Sequence, residues 1–414
     1  MTRNRPPASP PADRHELVRR ANVETVFRAI ADHAPIEKST LVALTGLSKP
    51  TVLAIVAALL DEGLVRPVAD TATARRGVGR TPVAYEPDPR SAFVVGVDLG
   101  GTKIAVALAD LSGARLAKVE EPTEQSGGTA VVLQIARLAR EAAAQAGVAW
   151  SAVGAVSVGT PGVENLDGTI RYADNVPGLD AVRFAASLRR TLRTEVRLEN
   201  DVNMAALGEF EEGVAKGSTN FVLLAIGTGV GMGMMVDGRL LRGARGTAGE
   251  VAYLPIGGSP GDPAALRRGA FELAASGSGV QSLLAARLRR PHRTTALTEQ
   301  SSARDVYGAA ALGDRVAADV VHAHAEVVAH AVLAVASVID PEIVVLGGGI
   351  GANPLLVEPL RAALAHIAPW PIRTESSSLG ASAGVIGAVH HARRSLPEVE
   401  SARVSRRLQG GETG

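Results

Sequence analysis

The apolar run Phe93-Val94-Val95-Gly96-Val97 ends in Asp98 and passes at once into Leu99-Gly100-Gly101-Thr102-Lys103. A buried strand that stops at an acid, two glycines, a hydroxyl and a lysine is suited to a polyphosphate. The glycines let backbone amides approach the oxygens, and Thr102 and Lys103 can donate to them. Asp98 is placed to hold a magnesium ion through water. The spacing is not G-x-x-x-x-G-K-[ST], which excludes a P-loop. A glycine pair at a hairpin turn can also be purely structural, so the phosphate reading draws its weight from recurrence of the pattern along the chain.

Two later stretches repeat it. Phe221-Val222-Leu223-Leu224-Ala225 runs into Ile226-Gly227-Thr228-Gly229-Val230-Gly231, and Pro341-Glu342-Ile343-Val344-Val345-Leu346 opens into Gly347-Gly348-Gly349. Two phosphate-type turns can clamp one nucleotide from both sides of a cleft, and the third lets an adenine ring lie flat against backbone. Between the first and second turns, an Ala-rich helix is expected over Val131–Ala146 and a buried strand over Val153–Val158. That strand meets Gly159-Thr160-Pro161-Gly162, a rigid turn able to wall a small-ligand pocket. Further on, Val196-Arg197-Leu198-Glu199-Asn200-Asp201-Val202-Asn203 ends a strand in acids and amides just before a helix. A carboxylate there can take a proton from a sugar hydroxyl as it attacks a phosphoryl group. Asp201 or Asn200 can equally be the helix N-cap.

The first 85 residues have a different character. Val23, Val26, Phe27 and Ile30 fall on one helical face. A short helix over Ser39–Thr45, with Leu41 and Leu44 facing inward, is broken by Gly46, and Leu47 plugs the turn. Ser48 then caps a second helix that has Pro50 in its first turn and Val52, Ile55, Val56 and Leu59 as its buried stripe. Helix, tight turn and helix at this spacing is the DNA-reading arrangement. Leu64-Val65-Arg66 and Val83-Ala84-Tyr85 can pair around a basic, glycine-hinged wing carrying Arg75, Arg76 and Arg80, suited to phosphates or a narrow minor groove. Ser48, Lys49, Pro50 and Thr51 would present the start of the recognition helix. The same elements also suit a helical protein-interaction module with a solvated basic loop.

Charge divides along the same line. Of the chain's 43 basic and 42 acidic residues, residues 1–85 hold 12 and 8, so only the head is suited to a polyanion. At 414 residues the chain has room for two or three cores. It contains no cysteine, which excludes disulfides and thiolate metal sites and fits a cytoplasmic location. No uncharged apolar run reaches the roughly 18 residues needed to cross a membrane. Residues 1–14 are polar and Pro-rich and are expected to form a disordered arm rather than a signal peptide. Glu86-Pro87-Asp88-Pro89-Arg90 is expected to be a stiff linker, and residues 393–414 a flexible tail. His322, Glu326 and His330 share a helical face and read as solvated, and His390-His391 as surface residues.

From about residue 15 to residue 392 the order of these motifs resembles the ROK family of repressors, open reading frames and sugar kinases. The resemblance implies an α/β chain: a winged helix-turn-helix over 15–85 followed by an actin/hexokinase-like (ribonuclease H-like) two-lobed sugar-kinase fold over 91–392. It implies nucleotide contacts at Asp98, Gly100, Gly101, Thr102, Lys103, Gly227, Thr228, Gly229, Gly347, Gly348 and Gly349. Asp201 falls on the catalytic aspartate, and Asn200, Asp201, Glu250 and Glu272 on the sugar ligands, with Gly162 walling the pocket. Mg-ATP is the implied cofactor. Operator DNA and a sugar or sugar phosphate are the implied partners, and a symmetric dimer or tetramer is expected on general grounds. One departure stands out. Where the family carries a histidine and a Cys-x-Cys-Gly-x-x-Gly-Cys zinc site, this chain has Tyr253 and then Pro263, Ala265 and Ala270. A closed zinc site needs four ligands, so no zinc is expected, and Tyr253 alters the sugar pocket. The implied function is a sugar-responsive regulator, most often a repressor, with an ATP-dependent sugar kinase as the alternative.

Overall fold

The computed structural model describes residues 14–68, 83–164, 168–171, 176–259, 261–290 and 294–410. Helix α1 (Arg14–His33) buries Val23, Val26, Phe27 and Ile30, the stripe its 3.6-residue period predicts. After β1 (Ile36–Glu37) come α2 (Lys38–Thr45), closed by Gly46 at φ +66°, and α3 (Lys49–Asp61). The axes of α2 and α3 are bent 119° to one another, within the usual range for a helix-turn-helix. β2 (Val65–Val68) pairs antiparallel with β3 (Ala84–Pro87), and β1 pairs on the other side of β3, with Ile36 opposite Tyr85. The element order is that of a winged helix-turn-helix.

Two details of the head differ from expectation. Leu41 is buried, but Leu44 is 54% exposed, because this two-turn helix presents a single row to the core. The linker segment is partly sheet: Glu86 and Pro87 lie in β3, and the Asp88 amide donates to the Leu64 carbonyl at 3.0 Å. The wing with Arg75, Arg76 and Arg80 lies outside the described residues.

The body consists of two lobes with the same sheet plan. In the first, β4 (Phe93–Leu99), β5 (Lys103–Asp110) and β6 (Arg115–Pro122) form an antiparallel meander. Helix α4 (Gly128–Gln145) then leads to β7 (Val153–Thr160), parallel to β4. The short strands β8 (Val163–Glu164) and β9 (Ile170–Arg171) and helix α5 (Phe184–Leu192) precede β10 (Glu195–Asn200), parallel to β7. Helix α6 (Asp201–Glu211) crosses to the second lobe. There β11 (Phe221–Ile226), β12 (Val230–Val236) and β13 (Arg239–Leu240) form the second meander. Helices α7 (Pro263–Arg268), α8 (Ala270–Ala275), α9 (Gly277–Leu288), α10 (Ala303–Ala311) and α11 (Arg315–Ile339) follow. The lobe closes with β14 (Ile343–Gly347), the one-turn α12 (Gly348–Gly351), α13 (Pro354–Ile367) and β15 (Thr374–Ser376). The spatial orders, β6-β5-β4-β7-β10 and β13-β12-β11-β14-β15, are identical in plan. Their first hairpins therefore place residues 100–102 and 227–229 at equivalent positions. Helix α11 is long and apolar enough to cross a membrane by length and composition, but Val316, Val320, Val328 and Val332 are buried in the core of the second lobe.

Helix α14 (Ala383–Gly410) corrects the expected flexible tail. It packs across β4 and α6, meeting α6 where Gly387 and Gly208 bring the two backbones together. A Cβ on Gly387 would collide with the Met204 carbonyl. Beyond residue 393 it lies along α1 of the head. Val404 is fully buried in the head core, Arg20 Nε donates to Ser401 Oγ at 3.2 Å, and Arg28 Nη1 donates to the Arg394 carbonyl at 3.2 Å. The polar composition of this segment reflects a partner that is itself polar. His390 and His391 also differ from the surface positions expected of them, His390 being buried and His391 half-buried. His390 is buried beside Glu212, with Nε2 2.8 Å from Oε1. The His391 Nδ1 lies 2.9 Å from Ser157 Oγ, and burial pulls its pKa down to about 4. His322 and His330 are exposed and bond to backbone carbonyls one turn back.

Candidate functional site

The cleft between the lobes is organised around the β10–α6 junction. Asn200 is the N-cap: its Oδ1 accepts from the amides of Val202 (3.0 Å) and Asn203 (3.2 Å), and its Nδ2 donates to the Gly162 carbonyl at 3.4 Å. Asp201 is thereby freed from the capping role. Its Oδ1 accepts from Val202 N at 2.8 Å, while Oδ2 has no hydrogen-bond partner among the described residues. Burial raises the Asp201 pKa above the usual carboxylate range, so the carboxylate is a stronger base than a solvated one.

Two neighbours of Asp201 escaped the sequence reading as functional residues. The Glu199 side chain is 8% exposed, accepts from Asn200 N and Asn203 Nδ2 at 2.9 Å each, and pairs with Arg242 Nε at 2.5 Å. It locks the junction from behind. Asn203 lines the cleft, and its buried Oδ1 has no hydrogen-bond partner among the described residues. The signal was present, because both residues stand in the Glu-Asn-Asp-Val-Asn run, but only a rotamer distinguishes a clamp from a ligand contact.

Carboxylates continue across the cleft. Asp98, half-buried at the end of β4, has its pKa pushed up to about 7, mainly by burial and then by the Asp201 charge. The Glu250 pKa is raised by partial desolvation first, then by Asp201 and Glu272. Glu272, on α8, accepts from Val230 N at 3.2 Å and from Arg268 Nε at 3.0 Å. Tyr253 is 45% exposed and its hydroxyl donates to the Arg267 carbonyl at 3.3 Å. A cavity of about 570 Å³ brings together Gly162, Asn200, Asp201, Gly227, Thr228, Gly229, Glu250, Tyr253, Glu272 and Gly348. That is room for a small polar ligand. Arg267 and Arg268 also line it, although the sequence offered no reason to select them. At the positions where the resemblance places metal ligands, Pro263 opens α7, which Asp262 caps through Ala264 N at 2.7 Å, and Ala265 and Ala270 are packed in the interior.

Asp98, residues 100–103, Gly347 and Gly349 are not among the residues that line this cavity. Residues 100–102 are held by their carbonyl side: Gly100 O accepts from Thr123 Oγ1 (2.6 Å), Gly101 O from Gln125 Nε2 (3.2 Å) and Thr102 O from Thr123 N (3.1 Å). Lys103 is engaged elsewhere, 3.2 Å from Glu120 Oε1, which Lys118 approaches at 2.8 Å. The second and third loops adjoin: among the described residues, a Cβ on Gly227 would have Gly349 N, 3.8 Å away, as its neighbour within 4 Å, and one on Gly349 would meet nothing. Gly348 has a local role as well, with φ +76° and a Cβ position blocked by the Ile226 carbonyl. Gly347 ends β14 and is buried. In the head, Ser48 Oγ accepts from Thr51 N at 3.3 Å, and Ser48, Lys49 and Pro50 are exposed at the start of α3, with Thr51 half-exposed.

Two lobes of identical sheet plan, with glycine turns facing a carboxylate-lined cleft, define an actin/hexokinase-like protein, here joined to a winged helix-turn-helix. Residues 94–395 match the ROK family, and the chain belongs to it. Among its relatives is a glucokinase of Halalkalibacterium halodurans, 31% identical over 71% of this chain and 93% of the relative. The xylose repressor of Bacillus subtilis is 27% identical over 63% of this chain and 67% of its own length. A crystal structure of a ROK family transcriptional regulator, a homologue of the E. coli MLC protein, superposes with a TM-score of 0.76 over 94% of this chain and 99% of that one, at 22% identity. The family thus includes both sugar kinases and regulators related to this chain.

Proposed function

We propose that this protein is a sugar-responsive, DNA-binding transcriptional regulator, acting as a repressor in an oligomer. The observation that carries the reading is the exposed start of α3, capped by Ser48, on a head that shares its core with the C-terminal helix of the body. In this reading α3 enters the major groove, with Lys49 and Thr51 at base edges and phosphates. A sugar sits against Asn200, Asn203, Asp201, Glu250 and Glu272, whose carboxylates and amides each make more than one hydrogen bond to vicinal hydroxyls. Binding of that sugar shifts the equilibrium toward a form with weaker DNA affinity.

A second reading, ATP-dependent sugar phosphorylation by the same cleft, is favoured by the unpartnered Oδ2 of a carboxylate whose basicity is raised by burial. The residues fit Mg-ATP: the open, adjoining loops at Gly227–Gly229 and Gly347–Gly349 would hold its phosphates and adenosine, with Gly100–Thr102 opposite and Asp98 near the metal. When bound, ATP supplies the phosphoryl group. Asp201 orients the sugar hydroxyl and takes its proton at Oδ2. Fluorescence anisotropy with DNA flanking the protein's own gene, run against a panel of sugars and sugar phosphates with and without Mg-ATP, tests both readings. Release by one sugar without ATP supports the sensor, and release that needs both with ADP appearing supports a working kinase. Absence of DNA binding at low salt refutes the reading of the head.

A further inference from the structure

A second cavity, of about 640 Å³, opens where the head meets the body. Helix α1 lines one wall, α14 another, and α6 and β13 a third. Four arginines face it together with two acids, Asp32 and Glu211, and the arginine charges are unequally compensated. Arg28 is used locally, on Glu24 at 2.7 Å and the Arg394 carbonyl at 3.2 Å. Arg394 pairs with Glu211 at 2.5 Å and lies over the Phe210 ring.

The other two are different. Arg393 donates Nε to the Leu111 carbonyl at 3.0 Å and Nη1 to His390 Nδ1 at 3.1 Å, and has no carboxylate within ion-pair distance among the described residues. Its nearest β5 acid, Asp110, accepts instead from Ser112 and Ala114. His390 turns its other nitrogen to Glu212, which is shared with Arg115. Arg239 reaches the cavity from β13 with no ion pair among the described residues. Arg393 is half-buried and held by a carbonyl and an imidazole, with Glu211, Asp110 and Glu212 acting on it only through longer-range attraction, and burial pulls its pKa down.

We propose that this seam is a second ligand site, separate from the inter-lobe cleft, and that it takes a small organic phosphate held by Arg393 and Arg239. Two guanidinium groups without an ion pair among the described residues match the charge of a phosphate monoester, and the planar fork of each suits its oxygens. Phe210 and Leu396 supply an apolar wall for the organic part. Because Arg393 is on α14, which packs on α1 of the head, and Arg239 is on the second lobe, one ligand there joins the second lobe to the helix that carries the head. The site does not depend on what the cleft does, since its occupancy is read without DNA or turnover.

The test is calorimetric titration of the full chain with glucose 6-phosphate and with inorganic phosphate, at ionic strength matched with potassium chloride. Saturable binding of both is expected, retained in Glu250→Gln and weakened about tenfold or more in Arg393→Gln and in Arg239→Gln. Arg239 is exposed on a two-residue edge strand, so its variant keeps the test valid should Arg393→Gln unfold. No saturable binding to the wild-type protein overturns the proposal. So does binding that is lost in Glu250→Gln but kept in both arginine variants.

Discussion

Replacing Asp98 with asparagine should stabilise the protein, and the gain should grow with pH. The carboxyl titrates at about 7 in the folded chain against 3.8 for an unperturbed aspartate, chiefly because β4 delivers it to a buried position and secondarily because Asp201 is close. A carboxyl raised in this way contributes its full share of stability below pH 3.8. That share is lost as pH rises toward 7, because the unfolded chain ionises freely while the folded one resists. The difference of about 3 pH units corresponds to roughly 4 kcal/mol above pH 7. Asparagine keeps the shape and removes the ionisation. The excess stability of Asp98→Asn over wild type should therefore increase by about 2–3 kcal/mol between pH 5 and pH 8. Urea denaturation of both proteins at the two pH values measures it. An excess that is flat with pH, or a variant less stable than wild type at pH 8, would refute the burial argument.

Asp201→Asn should abolish any phosphoryl transfer, by roughly 10²-fold or more, while preserving sugar affinity, as judged by ADP release and calorimetry. Val404→Ala should destabilise the head by about 1–3 kcal/mol, since Val404 completes the head core, and limited proteolysis should cleave the head before the body. Gly348→Ala should cost about 1–3 kcal/mol in body stability, because φ +76° and the Ile226 carbonyl exclude a side chain. Thermal unfolding reads that loss.

Much of this was legible in the chain because local rules and tertiary needs agree. The stripe Val23, Val26, Phe27 and Ile30 is buried as its spacing predicts, and Ser48 caps α3. β4 ends one residue past Asp98, where glycines begin, and β10 ends at Asn200, where acids and amides replace apolar residues. What failed depended on partners distant in sequence. Residues 393–410 look solvated, and Pro397 argues against a helix, but the partner of this segment is the polar face of α1 nearly the whole chain away. His390 and His391 read as surface residues because nothing local reveals Glu212 or Ser157. Leu44 obeys the i, i+3 rule yet stays exposed, since the rule fixes a face and not what covers it. Glu199 and Asn203 sit inside a recognised motif, but their separate tasks are set by which oxygen each side chain leaves unbonded.

The central claim is that ligand in the cleft around Asp201 and Glu250 governs DNA affinity through the head and α14. The most direct test is the dissociation constant for DNA flanking the protein's own gene, measured by anisotropy with and without the sugar that binds, in wild type and in Glu250→Gln. A shift of roughly fivefold or more is expected in wild type and little or none in the variant. A sugar that binds the cleft calorimetrically and leaves the wild-type DNA affinity unchanged would contradict it.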